Sequence, residues 1–269
     1  MARIPLMKAN AITVLAMIAA AASAQSRDAQ ELPNWDGLWT MTSNTVFDQA
    51  TVQPPGGNAN TVGTREFPPY NEEWEAIYAA NRELVAAGQF PDPITTCGTP
   101  AGFPRMMNLP GASEFVIRPG QVWIITEDGP NVMRIYTDGR PHPGPNDRWP
   151  TYSGESVGRW EGDTLVFETI SLKGAGDTIV DRTGIVLSEQ ARIVTRMREI
   201  EDGLIEARFA IDDPEALTDT WHVVKQYRRH DPGDRMIEFA CAENNRNPVD
   251  AEGRTLTLDR EGNILDQIN

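Results

Sequence analysis

The run best suited to chemistry is Tyr136-Thr-Asp-Gly-Arg-Pro-His-Pro143. Pro141 and Pro143 bracket His142; their rings fix φ and remove two backbone donors, so the chain cannot return as a regular strand after Asp138-Gly139. A loop stiffened in this way presents an imidazole at little entropic cost, as general base or general acid. Arg140, two residues before it, suits an anion or an enolate oxygen. Trp160-Glu-Gly-Asp-Thr164 supplies two carboxylates, Glu161 and Asp163, on either side of a turn glycine, and such a pair can share acid and base roles. The plainer readings are a solvated histidine, an arginine paired to a nearby acid, and ordinary turn carboxylates.

Gly154-Glu-Ser-Val-Gly158 matches G-x-S-x-G, the nucleophile elbow of serine hydrolases, and Ser156, Asp212 and His222 stand in hydrolase chain order. An elbow needs strand, sharp turn and helix. Here the residues after Ser156 continue as a β-hairpin, so Gly154 and Gly158 read as marks of a bend or close approach. Cys97-Gly-Thr-Pro-Ala-Gly-Phe-Pro-Arg-Met-Met107 offers Phe103, Arg105, Met106 and Met107 either as a pocket rim or as core filling. Tyr136, Arg105, Met106, Trp160 and Trp221 are the candidate substrate-binding side chains. Asp212-Asp213-Pro214 reads as a turn, and His142, His222 and His230 lack zinc-ligand spacing. No glycine-rich phosphate loop precedes a helix. The expectation is therefore a site with neither metal nor cofactor.

The elements that must position these groups are mostly strands. One helix stands out early: Asn71 suits its N-cap, Glu72 and Glu73 its positive end, and Gly88 its stop, with Trp74, Ile77, Tyr78 and Leu84 on one face. From Glu114 onward the chain reads as strands over 115–118, 121–127, 132–137, 156–160, 164–172, 192–200, 204–211, 221–229 and 236–241. Pro119-Gly120, Asp128-Gly129, Glu161-Gly162-Asp163 and Asp202-Gly203 turn the chain between them, glycine accepting the positive φ of such turns. Leu165, Phe167 and Thr169 share one face, and Ile205, Ala207, Phe209 and Ile211 share another, opposite Glu206 and Arg208, which is the pattern of an antiparallel sheet with one apolar face. So many consecutive strands predict a meander closed on itself around a filled core or a ligand-sized hollow.

The 269 residues carry a net charge of −15 with acids and bases interspersed, which argues against nucleic acid and anionic membranes as partners. Met1–Lys8 is basic, Ala11–Ala22 is apolar, and Ala22-Ser23-Ala24 is a cleavage site. Residues 1–24 therefore read as a cleaved signal peptide with Gln25 the first mature residue, which predicts a periplasmic or secreted chain with no membrane insertion. Residues 25–269 read as one barrel domain with an irregular insert over 51–110. In an oxidising compartment Cys97 and Cys241 are expected to pair, closing a loop worth on the order of 4–5 kcal/mol; two buried thiols are the alternative.

Two resemblances follow. Gly37-Leu38-Trp39 at the first strand resembles the G-x-W of lipocalins and related calycin barrels, where a late arginine stacks on the tryptophan; Arg228 or Arg229 is placed to do so. Arg134-Ile-Tyr-Thr-Asp-Gly-Arg-Pro-His-Pro143 followed by Gly154-Glu-Ser-Val-Gly-Arg-Trp-Glu-Gly-Asp-Thr-Leu-Val166 resembles a widespread family of secreted bacterial proteins with Y-T-D-G-R-x-H-P and G-x-S-x-G-x-W-E-G-D-T-L-V runs. That resemblance implies a shared fold and places Arg140, His142, Glu161 and Asp163 at the matching positions. The expected fold is mainly β: an antiparallel, lipocalin-like barrel with one early α-helix. The expected function is cofactor-independent proton transfer, of lyase, dehydratase or isomerase type, on a hydrophobic or aromatic small molecule. A non-catalytic carrier of an apolar ligand, a cell-envelope interaction module and a Ser156 esterase are the alternatives.

Overall fold

The computed structural model describes residues 32–42, 47, 68–89, 91, 101–128, 131–177, 179–237, 250–252, 256, 258 and 263–264. The residues expected to form a signal peptide and both cysteines lie outside them, and so does most of the strand expected over 236–241. The described residues from 34 onward gather into one compact unit. Among the described residues no helix is long and apolar enough to cross a membrane.

Nine strands close into a barrel in sequence order, lipocalin-like in size. They are β1 Leu38–Met41, β2 Ser113–Arg118, β3 Gln121–Thr126, β4 Asn131–Tyr136, β5 Glu155–Glu161, β6 Thr164–Ile170, β7 Arg192–Glu201, β8 Leu204–Asp212 and β9 Trp221–Arg229. A ring in which every neighbour is antiparallel needs an even number of strands. Nine strands therefore force a parallel seam, and it falls between β4 and β5, where Ile135 and Tyr136 pair with Ser156 and Val157. The expectation of a wholly antiparallel barrel is corrected at this one place: the proline-rich crossover 137–154 cannot make a hairpin, so it carries the chain back along the barrel before β5 begins.

Period-2 alternation sets the inside of the barrel. Leu165, Phe167 and Thr169 of β6, Ile205, Ala207, Phe209 and Ile211 of β8, and Trp221, Val223 and Tyr227 of β9 all face inward and are buried. Lys225 lies on the same inward face, fully buried, with Nζ 5.5 Å from the centre of the Phe47 ring. The interior also receives part of the segment expected to be an irregular insert. Phe103 packs with ring centroids 6.0 Å from Phe167 and 6.1 Å from Phe209. A turn of 3-10 helix, Arg105–Asn108, follows it with all four residues buried, and Met107 accepts a 2.6 Å hydrogen bond from the Tyr227 hydroxyl. Where a ligand-sized hollow was one expectation, the described interior holds the chain's own Phe103, Met106 and Met107.

The turns at one end are tight, at Pro119-Gly120, Gly162-Asp163 and Asp202-Gly203, while the long connections lie at the other. Helix α1, Glu72–Ala86, packs against those long connections. Its N-cap Asn71 accepts from Trp74 N at 3.1 Å and donates to Glu215 O at 2.7 Å. Asn81 donates to Gly184 O at 2.9 Å, and Tyr70, against Trp74 and Tyr78, donates to Val186 O at 2.5 Å. At the start of β1, Arg229 lies over Trp39 with its guanidinium carbon 4.5 Å from the ring centre, the stacking expected from Gly37-Leu38-Trp39.

Candidate active site

His142 does not face the interior. Strand β5 turns Ser156 inward, so its neighbours Glu155 and Val157 point out; on β6 Thr169 points in and Glu168 out. The crossover descends over this outer face and lays the imidazole between the two outward glutamates. Nδ1 lies 2.7 Å from Glu155 Oε2, and Nε2 lies 3.3 Å from Glu168 Oε1. Because a carboxylate accepts, Nδ1 is the protonated donor in the neutral ring, and Nε2 carries the lone pair. That Nε2 is buried and makes no hydrogen bond in the structure, with Glu168 Oε1 at ion-pair distance, 3.3 Å away. Glu168 is held on its other side by Arg192 of β7, whose guanidinium is in turn pushed above its ordinary pKa chiefly by that hydrogen bond.

The result is an ordered chain: Glu155, His142, Glu168 and Arg192. The imidazole is 16 % exposed and the two carboxylates 21 % and 25 %, so the cluster is screened from bulk water without being sealed. Its two nitrogens aim at different carboxylates, and no metal-holding group of His, Cys, Asp or Glu forms among the described residues.

The other sequence candidates fall elsewhere. Glu161 is at the far end of β5, six residues from Glu155, which at about 3.3 Å per residue is roughly 20 Å. It bridges Arg196 at 2.8 Å and Arg159, and Arg196 first, then Arg159, holds its carboxyl below the usual value. Asp163 accepts from the Thr164 hydroxyl at 3.2 Å in the turn beyond it. The carboxylates beside His142 are therefore Glu155 and Glu168, not Glu161 and Asp163. Arg140 pairs with Asp138 at 2.6 Å and lies over Tyr136, 4.1 Å from the ring centre, on the same outer side as His142. Of the binding candidates only Tyr136 shares that side. Arg105 and Met106 are buried in the 3-10 turn Arg105–Asn108, Trp160 packs inward against Trp35 at 5.5 Å, and Trp221 packs against Phe47 at 5.5 Å.

The elbow motif is structural. Ser156 faces the interior, 2 % exposed, and shares a 2.8 Å hydrogen bond with Thr169 Oγ1, while His222 is exposed on the outer face of β9, so no triad forms. Both glycines of the motif serve close packing on β6. A Cβ on Gly158 would lie 2.7 Å from Val166 O, and one on Gly154, at φ +67°, would lie 2.7 Å from Ile170 O. Glu155 and Glu168 were missed because each reads as the wet position of an alternating strand; the one available signal was that Glu155 sits inside the same G-E-S-V-G run. Neither a family model nor a curated protein matches the chain.

Proposed function

We propose that this chain is an exported, cofactor-independent acid–base enzyme in which His142 transfers a proton to or from a hydrophobic or aromatic small molecule. The observation that carries the reading is the 2.7 Å Glu155–Nδ1 contact combined with a buried Nε2 that lacks a hydrogen-bond partner. Glu155 fixes the tautomer and the ring orientation, which leaves Nε2 as the base. Glu168, held by Arg192, is the second group that can take up or return a proton on the opposite side of a substrate inserted there. Arg140 has Tyr136 and Asp138 as its resting partners and can swing towards a developing enolate oxygen.

Access requires the crossover to lift, since Nε2 is covered. Gly139, at φ 86°, and Gly144 flank the Arg140–Pro143 segment and are the hinge candidates. The same crossover exposes Trp149, 72 % accessible, which with Tyr136 suits a flat aromatic molecule. The carrier reading has less support, because Phe103, Met106 and Met107 occupy the interior where an apolar ligand would sit. Export rests on the basic, apolar and Ala-Ser-Ala segments of the first 24 residues.

Proton abstraction can be followed without knowing the overall reaction. The mature protein is incubated in D2O with a panel of enolisable aromatic ketones and acids, and deuterium uptake is read by mass spectrometry. Uptake from at least one compound is expected, falling about 10²-fold or more in His142→Gln with the fold retained. Equal uptake by wild type and variant would exclude His142 as the base.

A further inference from the structure

A second cluster lies several strands around the ring from His142, on the outer face of β1 and at the end of β9. Trp39 of β1 points inward, so Thr40 points out, and its register partner on β9 is Arg228. Beyond β9, His230 N donates to Leu38 O at 2.8 Å and keeps the imidazole against β1. Asp231-Pro232-Gly233-Asp234 then turns the chain back, with Gly233 at φ 103° and Asp234 N 3.3 Å from Asp231 O. That turn returns the Asp234 carboxylate to His230 Nδ1 at 3.1 Å, while Nε2 of the same ring is hydrogen-bonded to the Thr40 hydroxyl.

The order of the atoms fixes the direction of the hydrogen bonds. A carboxylate can only accept, so Nδ1 carries the proton in the neutral ring and Nε2 offers its lone pair; the Thr40 hydroxyl is then the donor. Hydroxyl to Nε2, Nδ1 to carboxylate, is the arrangement by which a histidine activates an alcohol as nucleophile. The cluster is open to solvent: the imidazole is 31 % exposed and Asp234 54 %. Arg228, directly opposite Thr40 in the β1–β9 register, lies on the same outer face, with its guanidinium paired to Glu201 Oε1 at 3.0 Å.

We propose that Thr40, His230 and Asp234 form a nucleophilic site that accepts the acyl group of activated esters. Thr40 Oγ1 attacks the ester carbonyl carbon and its proton passes to His230 Nε2. Arg228, released from Glu201, stabilises the oxyanion. The tetrahedral species collapses, the C–O bond to the leaving group breaks, and the departing alkoxide takes the proton from Nε2. The products are a Thr40 acyl ester and a free alcohol; water repeats the sequence to release the acid and restore Thr40. Asp234 acts through His230 and is a positioning residue. The proposal is independent of the His142 site.

The test uses the full mature chain with p-nitrophenyl acetate, following nitrophenolate release and locating acetyl groups by peptide mass mapping. The expected result is a burst of nitrophenolate with acetyl on Thr40. Thr40→Ala and His230→Gln should abolish both, and Thr40→Ser should keep both, which separates loss of the nucleophile from loss of the fold. Asp234→Asn should slow the burst about tenfold or more and Asp234→Glu should restore part of it. His222→Gln, altering an exposed imidazole elsewhere on β9, should change nothing. Absence of acetyl from Thr40 in the wild-type chain, or labelling of Thr40 that survives His230→Gln, overturns the proposal.

Discussion

Gly158 shows how little room a single position can leave. A methyl group there would meet Val166 O at 2.7 Å and Phe167 Cβ at 2.8 Å, both anchored in the neighbouring strand. Gly158→Ala should therefore cost about 1–3 kcal/mol, read as a lower urea midpoint at unchanged slope. The same reasoning divides the G-E-S-V-G run by direction: the serine and both glycines pack against β6, while Glu155 points out and reaches His142. His142 itself was legible, because two flanking prolines mark a stiff loop. Its partners were not. Glu155 is 13 residues away, and Glu168 belongs to a different strand, so no local spacing announces the cluster. Lys225 was equally hidden: alternation places it inward, but its type argues for the surface, and only the closed barrel buries it.

Helix α1 is the element whose ends are written most plainly. Asn71 both caps the first turn and ties it to Glu215, so Asn71→Ala removes two hydrogen bonds at once and should destabilise by about 1–2 kcal/mol in urea titration. The hairpins β5–β6, β7–β8 and β2–β3 were also legible, since each joins period-2 segments through a glycine turn. The 101–109 segment was not, because methionine and phenylalanine fill a core and line a rim equally well. The β4–β5 seam is a short joint: like β1–β2 it pairs over two positions, where β7–β8 pairs along almost its whole length. Backbone amides of Ile135, Tyr136, Ser156 and Val157 that point across the seam should exchange with D2O faster than those of the β7–β8 ladder. Equal protection would mean that the crossover 137–154 stiffens the seam as effectively as a hairpin.

At the scale of the whole molecule, the outer wall carries acids that arginines hold ionised. Arg196 and Arg159 lower the Glu161 pKa, and Arg140 lowers that of Asp138. A carboxylate lowered on folding contributes stability that is present above its unfolded value and lost as pH falls through the folded one. Stability should thus decline below about pH 4, with 0.5 M salt blunting the effect because these groups face water. Glu161→Gln should flatten the acid limb of a plot of urea midpoint against pH; an unchanged limb would assign acid sensitivity to other groups. The sequence by itself determined the strands, their turns, the helix with its cap, and the stiff His142 loop, because each depends on residues within a few positions. Only the tertiary structure decided that the ring closes with nine strands, that its one parallel seam sends the crossover over the outer wall, and that Glu155 and Glu168 meet His142 there. Alternation says which residues share a face, but ring closure decides which way that face looks and what lies across from it.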